Sequence, residues 1–261
     1  MPFKQIGDVR YYIFNSFQSL SIPHAVFTRK GGFSPKPWES LNMGGTVGDD
    51  PNRVIQNKKL ALNILNRNYN SVYDVWQVHS SKVIKVDKPR NPSHPYHQAD
   101  AMITNNPNVT LMMRFADCVP ILLFDPVKEV VGLVHAGWEG TVKKIVINAL
   151  SWMGKHYGSS PGDIISGIGP SISVEKYEIK SKVERMVRNS FGNDSDNVLR
   201  RKNGLIKFDL WEANRMLLSQ SGVNKIEIAN ICTASHLDDW YSHRGEFGRT
   251  GRFGVVIGLR K

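Results

Sequence analysis

The segment RFADCVPILLFDPVKEVVGLVHAGWEGT, Arg114 to Thr141, constrains this chain more than any other. Two apolar runs are joined by DPVK, residues 125–128, with Pro where a type I turn takes it. Such runs read as a β-hairpin. Centring the turn between Pro126 and Val127 places Cys118 opposite His135 on one face, with Cβ atoms roughly 4.5–5.5 Å apart. A thiolate and an imidazole nitrogen sharing a tetrahedral metal ion are about 3.5 Å apart, from bond lengths near 2.3 and 2.0 Å. The hairpin therefore offers two metal-ligating atoms at nearly the separation one ion needs. A slip of one residue would send one side chain to the other face. The plainer account is a buried free cysteine and a hydrogen-bonded histidine at a strand end.

After His135, the small residues of AGWEG let backbone approach a ligand closely, and Thr141 is expected to open an amphipathic helix. Two ligands hold zinc poorly, so a third is needed. Of the eight histidines, His94 and His97 lie in a Pro-rich stretch and His156 ends a polar helix segment. His79, in VWQVHSSKVIKV, stands at the mouth of a strand as His135 does, and is the best third candidate by position. Cys/His/His with the fourth position open is a catalytic zinc pattern.

Two-residue alternation marks strands at VRYYIF, HAVFTR, SKVIKV, AMIT, VTLMMRF, KIEIANI and FGVVIGL, besides the hairpin runs. Helical patterning covers residues 52–65, capped by Asp50 or Asn52, and residues 141–157, 174–191 and 208–222. There is no regular βαβ rhythm, so the fold class is α/β (α+β), with mixed β-sheets sandwiched between helices. With 261 residues, 41% of them hydrophobic, a sizeable core is within reach. No apolar run reaches about 18 residues, which argues against a membrane span. The start reads as no signal peptide and the two cysteines form no disulfide framework, so a cytoplasmic protein is expected. The net charge of +11 suits an anionic partner, but no basic run points to nucleic acid.

The motifs FTRKGGFS (27–34), SLNMGGTVGDD (40–50), WQVHSSKV (76–83), QADAMIT (98–104), ADCVPILLFDP (116–126), GLVHAGWEGT (132–141), GIGPSIS (167–173) and CTASHLDDWYSHRGEFGRTGRFGVVIGL (232–259) occur in this order. Together they resemble the YfiH family, which has been called polyphenol oxidase or multicopper laccase and, more recently, purine nucleoside phosphorylase. The resemblance implies a single domain over residues 1–261 and a zinc ion held by His79, Cys118 and His135. It also implies phosphorolysis of adenosine, inosine, guanosine and S-methyl-5'-thioadenosine, together with adenosine deamination. Two departures bear on the substrate entrance: Ser80 stands where glycine is usual, and SHRGEFGRTGR is longer than the usual loop.

Phosphorolysis needs cations for phosphate and donors for the leaving purine. Arg29 and Lys30, followed by two glycines that can wrap an anion, are candidates, as is Arg244 in its Gly-rich loop. Asn42 would bond the nucleoside or hold a turn, and Trp138 or Tyr241 would stack on the purine. GIGPSIS lacks the third glycine of a nucleotide fingerprint and reads as a tight turn into a helix near Val174. A laccase needs more histidines, in close pairs, and this chain has no His-x-His, so bound Cu2+ would be adventitious. A monomer or homodimer acting on a purine nucleoside and phosphate is expected. The alternative is a cysteine hydrolase acting on peptidoglycan precursors, with Cys118 as nucleophile and His135 as base.

Overall fold

The structure is a computed structural model that describes residues 2–261. The first sheet has β1 (Phe3–Ile6), β2 (Val9–Tyr12), β3 (His24–Phe27), β14 (Phe253–Gly258), β7 (Thr110–Phe115) and β4 (Val72–Asp74), in that spatial order. The second has β13 (Lys225–Ile228), β10 (Ile165–Ile168), β8 (Val119–Asp125), β9 (Val130–Ala136), β6 (Ala101–Thr104) and β5 (Val83–Lys85). A small hairpin, β11 (Leu199–Lys202) and β12 (Leu205–Phe208), stands apart. The helices are α1 (Asn15–Gln18), α2 (Pro51–Ile64), α3 (Trp138–Val142), α4 (Ile145–Tyr157), α5 (Ser181–Phe191), α6 (Ser195–Val198) and α7 (Leu210–Gln220).

Side-chain alternation fixes the layers. Every residue of β8 and β9 is buried, because both faces are covered. Leu122, Phe124, Val131 and Leu133 face Leu111, Met113, Val26 and Val255 of the first sheet. Ile121, Leu123, Val130 and Val134 face the other way, onto α4 and α7. On the far side of the first sheet, Ala61 and Leu62 of α2 cover Tyr11, Phe27 and Met112. The order is helix, sheet, sheet, helices, the expected sandwich. Among the described residues no helix is long and apolar enough to cross a membrane.

The expected helix at 52–65 is α2, and Asp50 is its cap, accepting from the Asn52 N–H at 2.8 Å. Three expectations change. Residues 141–157 form two helices rather than one, beginning at Trp138, with Lys144 left-handed at φ 58°. The Val142 carbonyl is taken by the Ser190 hydroxyl at 2.7 Å, which interrupts the helical ladder. The helix expected from Val174 begins only at Ser181, because Tyr177 and Ile179 exchange backbone bonds with Phe208 and Ile206. The hairpin connection lies one residue further along the chain than expected: Asp125 pairs with Val130 and Pro120 with His135. The Asp125 carboxylate accepts from the Val127 and Lys128 N–H groups and Glu129 turns left-handed, which shifts the register by two. Cys118 is thus diagonal to His135, not opposite it. A shift of two preserves the face.

His24 shows how the apolar interior uses a polar ring. Its Nε2 accepts from the Phe14 N–H at 2.8 Å and its Nδ1 donates to the Ile22 carbonyl at 2.8 Å, so the ring is neutral. Burial, against weaker opposing hydrogen bonds and Glu227, pushes its pKa down to about 4. The unfolded chain takes up this proton first, so stability is lost as pH falls from about 6.5 through 4, by up to about 3 kcal/mol. Urea midpoints measured across that window should fall more steeply for the parent than for His24→Gln.

Candidate metal centre and its cleft

Three separate segments deliver the ligands. Cys118 immediately precedes β8, His135 lies within β9, and His79 sits in the turn between β4 and β5. Their ligand atoms all lie within 4.8 Å of one another, with Cys118 Sγ 3.7 Å from His79 Nε2. That separation is close to the roughly 3.5 Å expected for two donors on one tetrahedral zinc ion. His79 (φ 57°) and Asp117 (φ 83°) both hold the left-handed backbone that side chains disfavour. Strain of this kind persists where surrounding bonds over-determine it.

Asp100 supplies those bonds on one side. Its carboxylate accepts from His135 Nδ1 at 2.9 Å, from the His79 N–H at 3.0 Å, and from the Ser80 N–H and hydroxyl at 2.6 and 2.7 Å. The bond to Nδ1 leaves His135 Nε2 to face the thiol, the arrangement that orients metal-bound imidazoles. Ser80 thus gives this carboxylate two donors, its N–H and its hydroxyl. Burial would raise the Asp100 carboxyl, but the His135 and Ser80 donors outweigh it and hold it near pH 2, at about 2. Burial would likewise raise the Cys118 thiol, yet the His135 and His79 rings bring it down to about 6. In turn the thiolate and Asp100 overcome burial and push His135 up to about 9. At neutral pH the pair is a thiolate beside an imidazolium, and a metal ion would displace the ring proton to give a donor set that fits zinc with one open position.

Gly137 makes the convergence sterically feasible. A Cβ there would lie 2.8 Å from Cys118 Sγ and 3.0 Å from His79 Cδ2. Gly137→Ala is therefore expected to weaken any metal held by the trio at least about tenfold while circular dichroism stays unchanged, since losses of about 10–100-fold accompany misplaced ligands. Metal analysis after dialysis would check it.

The trio opens on a cleft of about 710 Å³, also lined by Trp138 and Arg244. The Arg244 guanidinium lies 5.2 Å from the Tyr177 ring and donates to the Glu178 carbonyl at 3.1 Å. Its backbone N–H donates to Asp117 at 2.6 Å, and the same carboxylate accepts from Thr233 and Ser242 at 2.8 and 2.6 Å. Asp117 thereby ties the ligand-bearing turn to the C-terminal loop.

Arg29, Lys30 and Asn42 are not brought to this cleft. Arg29 pairs with Glu246 at 2.9 Å and stacks on Tyr241 at 4.5 Å, and Lys30 pairs with Asp239 at 3.0 Å, both beside a separate depression. The glycines that follow pack against chain instead of wrapping an anion: a Cβ on Gly31 would meet Asp8 at 2.4 Å and one on Gly32 would meet Ser40 at 2.3 Å. Asn42 is buried and holds its turn, with Oδ1 accepting from the Gly44 and Arg252 N–H groups at 2.9 Å each. Tyr241 is buried and donates to the Trp38 carbonyl at 2.6 Å, so it is no platform for a base. In GIGPSIS, the Phe14 ring lies 2.9 Å from where a Gly167 Cβ would be, which explains that glycine by packing. Sequence reasoning missed Asp100, although it stands in QADAMIT, and also Lys58, Arg114 and Arg252, which line the cleft. A charged residue within the apolar LMMRF strand was the available signal for Arg114.

Residues 23–260 match the family model described as multi-copper polyphenol oxidoreductase laccase. The chain is 37% identical over 243 residues to purine nucleoside phosphorylase YlmD of Bacillus subtilis, covering 90% of this chain and 87% of that one. It is 33% identical to a purine nucleoside phosphorylase of Bacteroides thetaiotaomicron, covering 96% and 97%. The crystal structure of YlmD from Geobacillus stearothermophilus superposes with a TM-score of 0.92 at 30% identity, covering 100% of this chain and 99% of that one. That of the Bacillus licheniformis hypothetical protein YfiH gives 0.91 at 32% identity, covering 99% of each. With its motifs, fold and convergent His/Cys/His trio in agreement, the chain belongs to the YfiH family, the multi-copper polyphenol oxidoreductase laccase family of the matching model.

Proposed function

We propose that the protein is a zinc-dependent purine nucleoside phosphorylase that also deaminates adenosine. The observation that carries this reading is the meeting of His79, Cys118 and His135 at the wall of a cleft large enough for a nucleoside. The relatives named as purine nucleoside phosphorylases supply the reaction class. A zinc ion held by the trio supplies a Lewis acid with one open position. Thiolate and imidazoles are the donor types with which zinc deaminases hold their metal, which supports adenosine as a second substrate. Asp100 fixes both histidine segments, which holds the trio close to a ligating arrangement. Trp138, at the start of α3 and lining the cleft, offers an indole for stacking on the purine. Arg244 contributes positive charge to the same wall. Adenosine, inosine, guanosine and S-methyl-5'-thioadenosine are the proposed substrates.

Metal analysis, paired with chromatography of adenosine incubated with and without phosphate, tests this. Phosphate-dependent ribose 1-phosphate and adenine are expected, alongside inosine. Inosine alone would leave only the deaminase.

The Cys118–His135–Asp100 alignment keeps one rival in view, because a thiolate beside an imidazole oriented by a carboxylate is also a nucleophile's setting. Iodoacetamide inactivation of metal-free protein acting on peptidoglycan precursors, with no nucleoside turnover, would favour that hydrolase.

A further inference from the structure

Resting on the phosphorylase reading, we infer that phosphate binds at Lys58, Arg114 and Arg252, against the backbone of Gly45 and Thr46. All five line the same cleft as the metal trio. The sheet geometry assembles the two arginines. Arg114 of β7 pairs with Gly254 of β14, so Arg252, two residues before Gly254, continues on the same face of the first sheet. That face is the one α2 covers, and Lys58 comes from the buried side of α2, only 6% exposed. A buried lysine needs compensation, and here it is partial. The Asp74 carboxylate meets Lys58 at 3.3 Å, Arg90 at 2.8 Å and Arg114 at 3.3 Å. One negative charge thus faces three positive ones, leaving the cluster cationic.

Arg252 has no carboxylate partner among the described residues. Its Nη1 donates to the Thr250 and Gly251 carbonyls at 3.2 and 2.8 Å, while Nε and Nη2 meet no protein acceptor there. Beside it, a Cβ on Gly44 would come within 2.8 Å of Arg252 Cγ, so the glycine loop lies directly along this side chain. Gly45 faces open space, and the N–H groups of Gly45 and Thr46 find no protein acceptor among the described residues. Unpaired backbone donors next to a guanidinium form a cradle for a tetrahedral oxyanion. Burial also pulls the Lys58 ammonium below its ordinary range against the opposing pull of Asp74, so an added anion would relieve it.

Isothermal titration of inorganic phosphate into the zinc-loaded protein tests the site without requiring turnover. Arg252→Gln should weaken phosphate binding at least about tenfold, and Arg252→Lys should recover part of it, with zinc content and thermal midpoint unchanged. Lys58→Met should weaken binding too. The KM for phosphate should rise in parallel. If wild-type protein binds phosphate through Arg252 yet cleaves no nucleoside, the subsite stands and the phosphorylase reading fails. If nucleoside is phosphorolysed normally while both Arg252→Gln and Lys58→Met leave phosphate affinity within twofold, the subsite is wrong. Loss of phosphate binding in Lys30→Gln alone would move the site to the TRKGG loop and overturn it as well.

Discussion

Replacing Cys118 with alanine is expected, on the proposed zinc phosphorylase reading, to strip the purified protein of zinc and to lower nucleoside turnover at least about a thousandfold, because a Lewis acid's contribution vanishes with the ion. The argument is one of donor number and softness. The two imidazoles that remain, His79 and His135, provide neither the charge nor the polarisable sulfur that holds zinc at submicromolar levels. The thiol is only half-buried and sits just before β8, so its removal leaves the two-sheet core intact. Circular dichroism should stay near the parent's, and the urea midpoint near that of the metal-free parent. Serine should behave almost as alanine, since a hydroxyl is a poor substitute for a thiolate bound near neutral pH. An alanine variant that retains one zinc per chain would remove Cys118 from the coordination sphere.

The second large effect belongs to Asp100. Truncation to alanine orphans the His135 ring N–H, the His79 and Ser80 backbone N–H groups and the Ser80 hydroxyl together. The buried His135 donor left without an acceptor costs about 1–3 kcal/mol and the part-buried His79 and Ser80 donors less, so the thermal midpoint should fall. Zinc affinity should drop about 10–100-fold as the two histidines lose their orientation. Asp100→Asn separates shape from charge. The parent carboxyl is held at about 2 in the folded chain, below its ordinary value. Its contribution to stability is therefore present above about pH 4 and is lost as the pH falls toward 2. Denaturation of metal-free protein across that range should show a shallower acid loss in the asparagine variant. Equal slopes in the two proteins would mean the carboxylate is not held by these donors.

Much of the layering was legible because strand alternation is a local signal. The runs at AMIT, VTLMMRF and FGVVIGL announce themselves by side-chain period, and β6, β7 and β14 follow them closely. Two short strands were not legible. β10 reads ISGI, where Gly167 exists to admit the Phe14 ring, and β4 has only three residues. Their pairing is decided by neighbours distant in the chain. The metal trio could be read because a hairpin converts spacing into proximity, and an error of two in the register left the face unchanged. Cationic side chains were harder. Arg29 and Lys30 lie beside glycines that suggest an anion loop, yet those glycines answer to the backbone of Asp8 and Ser40. Lys58 hides on the inner side of α2 and needs Asp74, from another strand, to explain its presence there. Charge counts describe a surface, whereas a binding residue is defined by what tertiary structure fails to neutralise.

The Asp117 carboxylate has a mechanical consequence. By gripping Thr233, Ser242 and the Arg244 amide, it clamps the far wall of the cleft to the residue adjoining the sulfur ligand. Swinging that loop outward would break these three hydrogen bonds or pull on the residue next to the sulfur ligand, so opening the cleft on this side carries a cost at the metal's own anchor. Trp76 and Tyr96 line the same cleft, stand exposed to solvent and take no part in that clamp, so freedom to admit a substrate falls to them.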